Sequence, residues 1–334
     1  MNIPGSSCRS RTCSTSSIRH TGAILRRAAH STSAILGRSD RMWKLIRSRR
    51  LLLGLVGLAF MSLAPTLPAG AAKAPARVVS MNLCTDQLAM LLAAPGQLFS
   101  VSHLAADPGS SALAGEAARY RLNIGLAEEV FLMKPDLVLD GTFSTSPTAS
   151  MLQRLGIRVE KFAPEASFDD VAENILRMGR LLGQEERAQE MVATLEKGLD
   201  DLASSAVPGL TVATYASNSY TTGKGSLSEA VIEAAGLTNL GSKLGIRGAG
   251  RLPLEILVLS LPDIVTNDTP TYEAPALAQE NFVHPAYRAV LERAQTAPVP
   301  ASNWICGGPF NLVAAAILQN AAKAAVQSGK HREK

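Results

Sequence analysis

The sequence predicts an α/β protein with two lobes joined by one long helix, and three observations lead to this prediction. From Arg77 onward, short β-rich runs alternate with helical stretches, which is typical of the α/β class. Residues 167–205 contain no proline, so a long helical connection fits there. One arrangement occurs in both halves: a helix carrying a glutamate, then Pro-Asp, then an apolar strand. This repetition predicts two similar lobes with a ligand cleft between them.

The first lobe is predicted over residues 73–166. Arg77–Met81 predicts a strand, and Thr85–Leu92 predicts a helix that Thr85 caps. The next elements are predicted in the order strand Phe99–Ser102, helix Ala127–Met133, strand Leu137–Leu139, helix Thr148–Leu155 and strand Arg158–Phe162. This alternation predicts a Rossmann-like lobe.

Residues 167–206 predict two linking helices separated at Gly183. Each helix has one apolar face, formed by Val171, Ile175, Met178 and Leu182 in the first and by Met191, Leu195, Leu199 and Leu202 in the second. The second helix, from Gln184 to Ser204, would be ~30 Å long at 1.5 Å per residue. Such a helix can act as a rigid strut between two lobes, although an ordinary packed helix of one larger domain fits the same pattern.

The second lobe is predicted over residues 207–328 and is followed by a short tail, 329–334. Its elements are predicted as strand Leu210–Tyr215, polar loop Ala216–Gly225, helix Leu227–Ala235, helix Leu252–Leu261 and strand Ile264–Thr266. The same alternation again predicts a Rossmann-like lobe.

The basic net charge of +5 comes from the N-terminal segment. Residues 1–72 hold 11 of the 33 Lys/Arg and one of the 28 Asp/Glu, which leaves 22 basic and 27 acidic residues downstream. The remaining chain is therefore near −5. It lacks the clustered cations that a phosphate-binding surface needs, so nucleic acid is excluded as a partner.

The N-terminal segment has the features of an export signal. Basic residues precede the apolar run Leu51–Leu63, and small residues follow it, so residues 42–72 predict a signal peptide cleaved near Ala71 or Ala72. The apolar run is shorter than the ~20 residues of a membrane span. Residues 1–41 are rich in Ser, Thr and Arg and are expected to be a mis-assigned or disordered leader, with a transit peptide as the alternative. The signal does not distinguish the general export route from the twin-arginine route.

Recognisable catalytic and metal-binding patterns are missing from the sequence. Downstream of the leader, Cys84 and Cys306 can be two small buried side chains or one long-range disulfide, and no CxxC or HExxH suggests a metal. His103 lies near Ser102 and Asp107, but no GxSxG accompanies them. The residues therefore predict no catalytic site and no resident metal or cofactor.

Several segments together resemble a known class of proteins. They are RVVSMNLCTDQLAMLL, NIGLAEEVFLMKPDLVLD, the long helix, TTGKGSLSEAVIEAAGLTNL, GRLPLEILVLSLPDIV and WICGGPFNL. Their order and spacing are similar to the cobalamin/ferric-siderophore class of periplasmic binding proteins, over Arg77 to Gln319. The resemblance implies a monomeric, non-enzymatic receptor in the periplasm. It would deliver cobalamin or a ferric siderophore to a cytoplasmic-membrane ABC permease with its ATPase.

The resemblance also implies how the receptor would dock on the permease. Proteins of this class present one surface glutamate on each lobe to permease arginines, and the matching positions are Glu128 and Glu255. Glu129 is adjacent and could replace Glu128. A glutamate near a helix N-terminus can also simply complement the helix dipole, which needs no partner.

The ligand is expected in the cleft, on loops that follow the strands. The expected contacts are Asn82, Ser102, His103, Tyr120 and Phe143 from the first lobe and Tyr215, Asn218, Tyr220 and Trp304 from the second. Aromatic side chains could stack on a planar macrocycle, and Trp304 is the foremost candidate. Cobalamin is favoured over anionic siderophores because Lys224, Arg247 and Arg251 are the obvious cations of the second lobe. A haem or metal-ion carrier, or a two-lobe hydrolase or chelatase, are the alternatives.

Overall fold

The first lobe is built on a five-stranded parallel sheet. The computed structural model describes residues 73–144, 146–266 and 277–329, so the predictions on the leader and on the end of the tail lie outside the described residues. The strands are β1 (Val78–Ser80), β2 (Leu98–Ser102), β3 (Arg121–Asn123), β4 (Leu137–Gly141) and β5 (Val159–Phe162). Their order is β3-β2-β1-β4-β5, with every neighbouring pair parallel. All carboxyl ends therefore meet at one edge.

Helices cover both faces of this sheet. They are α1 (Leu83–Leu92), α2 (Ala114–Ala117), α3 (Ala127–Leu132) and α4 (Ser146–Arg154). Leu137 and Leu139 are fully buried on one face and Val138 on the other, as expected for a sheet covered on both sides.

The predicted cap of the first helix is wrong. Helix α1 begins at Leu83, and its N-cap is Asn82, whose side chain accepts a hydrogen bond from the Cys84 N–H at 3.0 Å. Thr85 lies inside the helix, where its hydroxyl donates to the Asn82 carbonyl. Asparagine is a strong N-cap because its side-chain oxygen reaches the unpaired N–H groups of the first turn, so it starts the helix earlier than predicted.

Two consecutive helices follow, α5 (Phe168–Leu182) and α6 (Glu185–Ser204). Ser167 caps α5, and Gly183 ends it in the left-handed conformation with φ of 67°. The predicted apolar face of α5 is confirmed. In α6 the buried residues are Ala188, Val192, Leu195 and Leu202, whereas the predicted Met191 and Leu199 are only half-buried.

The shifted face of α6 results from its close crossing with α5. A side chain at Gly179 of α5 would collide with the Cβ of Ala188, so two small residues let the helices meet there. Because of this close contact, the face of α6 that contains Ala188 and Val192 packs toward α5.

Helix α6 connects the cores of the two lobes. Ala188, Val192 and Leu195 pack in the core of the first lobe, and Leu202 packs in that of the second. These contacts favour the strut over a helix packed within one domain.

The second lobe repeats the sheet topology of the first. Its parallel strands are β6 (Thr211–Thr214), β8 (Thr238–Asn239), β10 (Ile264–Thr266) and β11 (Gln295–Ala297), in the order β11-β10-β6-β8. This order corresponds to β5-β4-β1-β2 of the first lobe. The helices are α7 (Leu227–Ala234), α8 (Leu240–Lys243), α9 (Leu254–Ser260), α10 (Glu280–Val283), α11 (Pro285–Arg293) and α12 (Asn311–Ser328).

The segment predicted as a polar loop contains a strand. Within Ala216–Gly225, β7 (Tyr220–Thr222) pairs antiparallel with β9 (Ala249–Arg251). The prediction failed because the pairing partner lies almost 30 residues downstream. Among the described helices, none is long and apolar enough to cross a bilayer.

Candidate functional site

A small cavity lies at the strand ends of the first lobe. It has a volume of about 70 Å³, and its lining includes Asn82 and Cys84 after β1 and Thr142 and Phe143 after β4. In this sheet, β2 and β3 lie on one side of β1, and β4 and β5 lie on the other. The strand order therefore reverses between β1 and β4, and the cavity lies at this topological switch point. Ligands of open parallel sheets bind at such points.

A larger cavity occupies the corresponding place in the second lobe. It has a volume of about 220 Å³ and is lined by Tyr215 after β6, by Thr266 of β10, by Tyr220 of β7 and by Trp304. Strands β6 and β10 correspond to β1 and β4. The two lobes therefore present cavities at equivalent switch points.

Five of the nine predicted ligand residues line these cavities. Asn82 and Phe143 line the first cavity, and Tyr215, Tyr220 and Trp304 line the second. The amide of Asn82 caps α1 and also donates to the Ser144 hydroxyl at 3.3 Å. Phe143 is 88% exposed, so its ring is available to a ligand.

The other four predicted residues line neither cavity. Ser102 is buried and bound to Asp86, whereas His103 is exposed in a 3₁₀ turn. Tyr120 packs on the core of the first lobe. Asn218 is exposed in a left-handed conformation with φ of 57°.

Asp86 is a buried carboxylate behind the first lobe's strand ends. It is 0% exposed and accepts hydrogen bonds from the N–H and hydroxyl of Ser102. Burial raises the pKa of Asp86 to about 6, although the Ser102 hydrogen bonds and nearby His103 act in the opposite direction. Asp86 thus fixes the end of β2, from which the His103 turn begins.

Tyr215 belongs to an aromatic cluster behind the second cavity. Its ring stacks on Tyr287 at 5.4 Å between centroids and meets Phe282 edge-on at 6.1 Å. Its hydroxyl lies 2.9 Å from the Ser219 hydroxyl. The pKa of Tyr287 is raised to about 12, mainly by burial and to a smaller extent by the charge of Tyr215. Tyr215 is 3% exposed, so little of its surface is available to the cavity.

The predicted cations of the second lobe lie on the β7–β9 ribbon or next to it. Arg251 of β9 lies over the ring of Tyr220 at 5.9 Å from its centroid. Lys224 and Arg247 form a backbone bridge next to the ribbon. The cavity itself is lined by Thr221 and Thr222 rather than by these cations.

Sequence reasoning missed the role of Glu165 and left the cysteine pairing open. Cys84 and Cys306 form a disulfide, although 222 positions separate them. Glu165 accepts hydrogen bonds from the Asn174 amide at 2.7 Å and from the Gly307 N–H at 3.3 Å. The disulfide at Cys306 and the hydrogen bond from Gly307 to Glu165 each join parts of the chain that are distant in sequence. No local sequence pattern indicates either contact.

The repeated Glu-helix-Pro-Asp arrangement has a similar local structure in both lobes. Helices α3 and α9 each end before a left-handed residue, Lys134 with φ of 51° and Leu261 with φ of 45°. The Asp136 carboxylate then accepts from the Ala76 and Arg77 N–H groups ahead of β1. Asp263 likewise accepts from the N–H and hydroxyl of Thr211 at the start of β6.

Each arrangement presents a glutamate and a leucine one turn apart. Leu132 is 76% exposed and follows Glu128 by four residues; Leu259 is 77% exposed and follows Glu255 by four. Residues four apart share a helix face. The Glu129 carboxylate accepts from the Ile124 N–H at 3.0 Å, whereas no side-chain partner of Glu128 or Glu255 occurs within the described ranges. The structure therefore distinguishes Glu128 from its neighbour.

The described part of the chain contains no group of three or more His, Cys, Asp or Glu side chains that could hold a metal ion. The two cavities are lined by aromatic rings, by threonine and asparagine side chains and, in the first cavity, by the Glu165 carboxylate. This chemistry suits hydrogen bonding and stacking.

Comparison with known proteins identifies relatives with the same two-lobe architecture. The periplasmic vitamin B12 binding protein of Vibrio cholerae has a TM-score of 0.58 at 17% identity, covering 76% of this chain and 98% of that chain. The periplasmic heme binding protein of Vibrio cholerae has a TM-score of 0.60 at 17% identity, covering 73% and 97%. An Fe3+-hydroxamate transport protein of Saccharomonospora viridis has a TM-score of 0.55 at 20% identity, covering 74% and 93%. These likenesses establish the fold.

The sequence comparisons also identify similarity to binding proteins. A cobalamin-binding protein of Halobacterium salinarum is 31% identical over 144 residues, which are 41% of this chain and 39% of the relative. The chain thus spans about two fifths of the length of this curated relative. The family profile described as periplasmic binding protein matches residues 78–289, which include both sheets except β11. This chain belongs to the periplasmic binding protein family.

Proposed function

We propose that the chain is the substrate-binding component of an ABC importer and that its ligand is a large metal chelate, with cobalamin in first place. The observation that carries this proposal is the pair of cavities at equivalent switch points of two lobes. A bulky ligand placed between the lobes could contact both. The protein would bind and release this ligand unchanged, without catalysis.

The lining of the second cavity favours cobalamin. Trp304 and Tyr220 offer aromatic surfaces, and the neutral side chains of Thr214, Thr221 and Thr222, whose hydroxyls hydrogen-bond one another, complete this part of the lining. Such groups suit a macrocycle with neutral amide side chains, whereas an anionic siderophore would be expected to meet lining cations. The partial match to a protein named as cobalamin-binding supports the same choice. A ferric siderophore comes next, because Arg251 lies at the ribbon beside this cavity.

Titration of the chain from residue 73 with cyanocobalamin, haem and a ferric hydroxamate tests the ligand. We expect one cyanocobalamin to bind per chain and to be recovered unchanged. Trp304→Ala should weaken binding about 10- to 100-fold, because it removes a buried aromatic contact worth about 1–3 kcal/mol. Phe131→Ala, an aromatic change on α3 outside both cavities, is the control. Binding of haem or the siderophore alone would contradict the choice of cobalamin, and product formation would contradict a binding role.

The two helices α3 and α9 are proposed to dock on the permease. Glu128 and Glu255 would meet permease arginines, and their equivalent placement suits a partner with two-fold symmetry. The fixed Pro-Asp contacts to β1 and β6 hold each helix against its sheet. The preorganised separation of the two carboxylates would then select the cognate permease.

Leu132 and Leu259 are expected to add an apolar contact beside each docking carboxylate. Replacing both by alanine should lower affinity for the permease about 10-fold or more, because each buried leucine contributes about 1 kcal/mol or more. Ligand affinity should not change. The salt dependence of docking should also stay as in the wild type, because no charge is altered.

A matched control for this variant is the double change Leu155→Ala with Leu244→Ala, one residue per lobe. These leucines are 47% and 43% exposed and lie outside α3 and α9. Binding to the permease in nanodiscs is the measurement. An equal loss of permease affinity in both double variants would count against a specific apolar contact.

The protein is proposed to act in the periplasm as a monomer. The family assignment and the apolar segment ahead of Pro65 support export of the chain. Delivery to a permease in the cytoplasmic membrane fits that location.

A further inference from the structure

The loop that carries Trp304 is bonded to the opposite lobe at two consecutive residues. Cys306 is joined to Cys84 by the disulfide, and the N–H of Gly307 donates to Glu165. We call these two bonds together the tether. The loop follows β11 of the second lobe, whereas Cys84 and Glu165 line the cavity of the first.

The covalent half of the tether begins at the strand ends of the first lobe. Cys84 is the second residue of α1, two positions after the cap Asn82, and its Cα lies 5.1 Å from that of Cys306. Cys306 is 0% exposed. A covalent bond between the lobes at this point restricts their separation, because neither cysteine can move away without displacing its own backbone.

The hydrogen-bonded half of the tether requires glycine at position 307. A Cβ at Gly307 would lie 2.8 Å from Cδ of Glu165 and 2.7 Å from Cγ2 of Val171. The loop backbone therefore approaches the first lobe more closely than any residue with a side chain allows. The second oxygen of Glu165 accepts from the Asn174 amide, which fixes the carboxylate.

Asn311 makes the loop itself rigid. Its amide donates to the carbonyls of Asn303 at 2.8 Å and Cys306 at 2.9 Å, and its side-chain oxygen accepts from the Gly308 N–H at 2.8 Å. Asn311 is 0% exposed. Trp304 lies between the bonded residues 303 and 306, so a displacement of Cys306 would be transmitted to its ring.

We propose that the tether positions Trp304 and holds the two lobes at a fixed separation beside the ligand cavities. Cys84, Cys306 and Glu165 are thus positioning residues for the binding site. Because the tether keeps the lobes from moving apart, the ligand binds without a large closing movement, and little of the binding free energy is lost to that movement. The consequence for ligand affinity depends on the proposed function, but the position of Trp304 does not.

Trp304 itself is the reporter for this proposal, because it is the only tryptophan after residue 72. The variant Cys84→Ser with Cys306→Ser removes the covalent half of the tether, and Glu165→Ala removes the other half. We expect both variants to show faster anisotropy decay of Trp304, with acrylamide quenching increased about two-fold or more. Ligand dissociation should become about 10-fold faster in the disulfide variant.

Glu160→Gln is the matched control, since Glu160 forms its ion pairs with Arg158 of the first lobe and with Arg177 of α5 and, in the described ranges, forms no hydrogen bond or ion pair with the Trp304 loop. All variants are measured well below their unfolding temperatures, with folding checked by circular dichroism. If the disulfide variant does not fold, Glu165→Ala decides the outcome. Unchanged Trp304 mobility in the folded variants would overturn the proposal. If no tested ligand binds the wild-type protein, the proposed function fails while the Trp304 measurement still decides on the tether.

Discussion

Import is expected to stop when Glu128 and Glu255 are both replaced by alanine. Each carboxylate is exposed, lies in the first turn of a fixed helix and has no side-chain partner in the described residues, so it is available to a permease arginine. In the proposed docking, loss of one charge-assisted contact would leave a permease arginine unpaired at the interface and would cost about 2 kcal/mol or more. The double variant should therefore bind the permease about a thousand-fold more weakly while it binds ligand normally.

The matched control for this variant is Glu129→Ala with Glu229→Ala. This pair removes the same charge, but both carboxylates accept a local backbone N–H, from Ile124 and from Gly225. Import by intact cells and binding to permease in nanodiscs are the measurements. Transport equal to wild type in the Glu128/Glu255 variant would show that these helices do not dock on the permease.

Asp86→Asn is expected to raise the free energy of unfolding at neutral pH. The folded-state pKa of Asp86 is about 6, above its ordinary value of 3.8. The folded protein therefore binds a proton more tightly than the unfolded chain does. This contribution to stability is complete below about pH 3.8 and is lost as the pH rises through about 6. The difference of about two pKa units corresponds to about 3 kcal/mol.

Urea unfolding of both proteins at pH 4 and pH 7.5 tests this expectation. An asparagine can keep the contacts to Ser102 without a charge, so the stability gain over wild type should appear at pH 7.5 and shrink at pH 4. Asp107→Asn is the control, because hydrogen bonds from Ser110 and Gly109 lower the pKa of Asp107. That contribution is present above the ordinary pKa and is lost as the pH falls, so the control should be destabilised at neutral pH. A difference between Asp86→Asn and wild type that does not change with pH would contradict the assignment.

The cost of a charged Asp86 is offset by the order it gives to the strand end. Both hydrogen bonds go to Ser102, the last residue of β2. An apolar residue at position 86 would have a smaller desolvation free energy than a carboxylate. It would, however, leave the Ser102 N–H without this hydrogen-bond partner. We therefore expect Asp86→Leu to disorder the His103 turn.

Many elements of both lobes could be predicted because their signals are local, whereas the short strands β3, β8 and β11 and the helix α12 were not predicted. The strands β1, β4, β6 and β10 and the apolar face of α5 follow from β-rich runs and from helical spacing of buried residues. The face of α6 was predicted only in part, because its crossing with α5 depends on Gly179 and Ala188 in two different helices. The cap at Asn82 was missed although its signal is local.

The candidate site was predicted less completely than the fold. Residues after strand ends were the right places to look, and Asn82, Phe143, Tyr215, Tyr220 and Trp304 line the cavities. Strand-end position alone did not distinguish them from Ser102, whose hydroxyl is bound to a buried carboxylate. Which side chain faces a cavity depends on what packs behind it.

The sequence by itself determined two α/β segments, the long helix between them and the repeated glutamate helices, because propensity and periodicity are properties of neighbouring residues. Only the tertiary structure decided that Cys84 pairs with Cys306, that β7 pairs with β9 and that Glu165 holds Gly307. Each of these contacts joins segments distant along the chain. Their formation depends on how the sheets and helices pack in three dimensions, which local sequence does not encode.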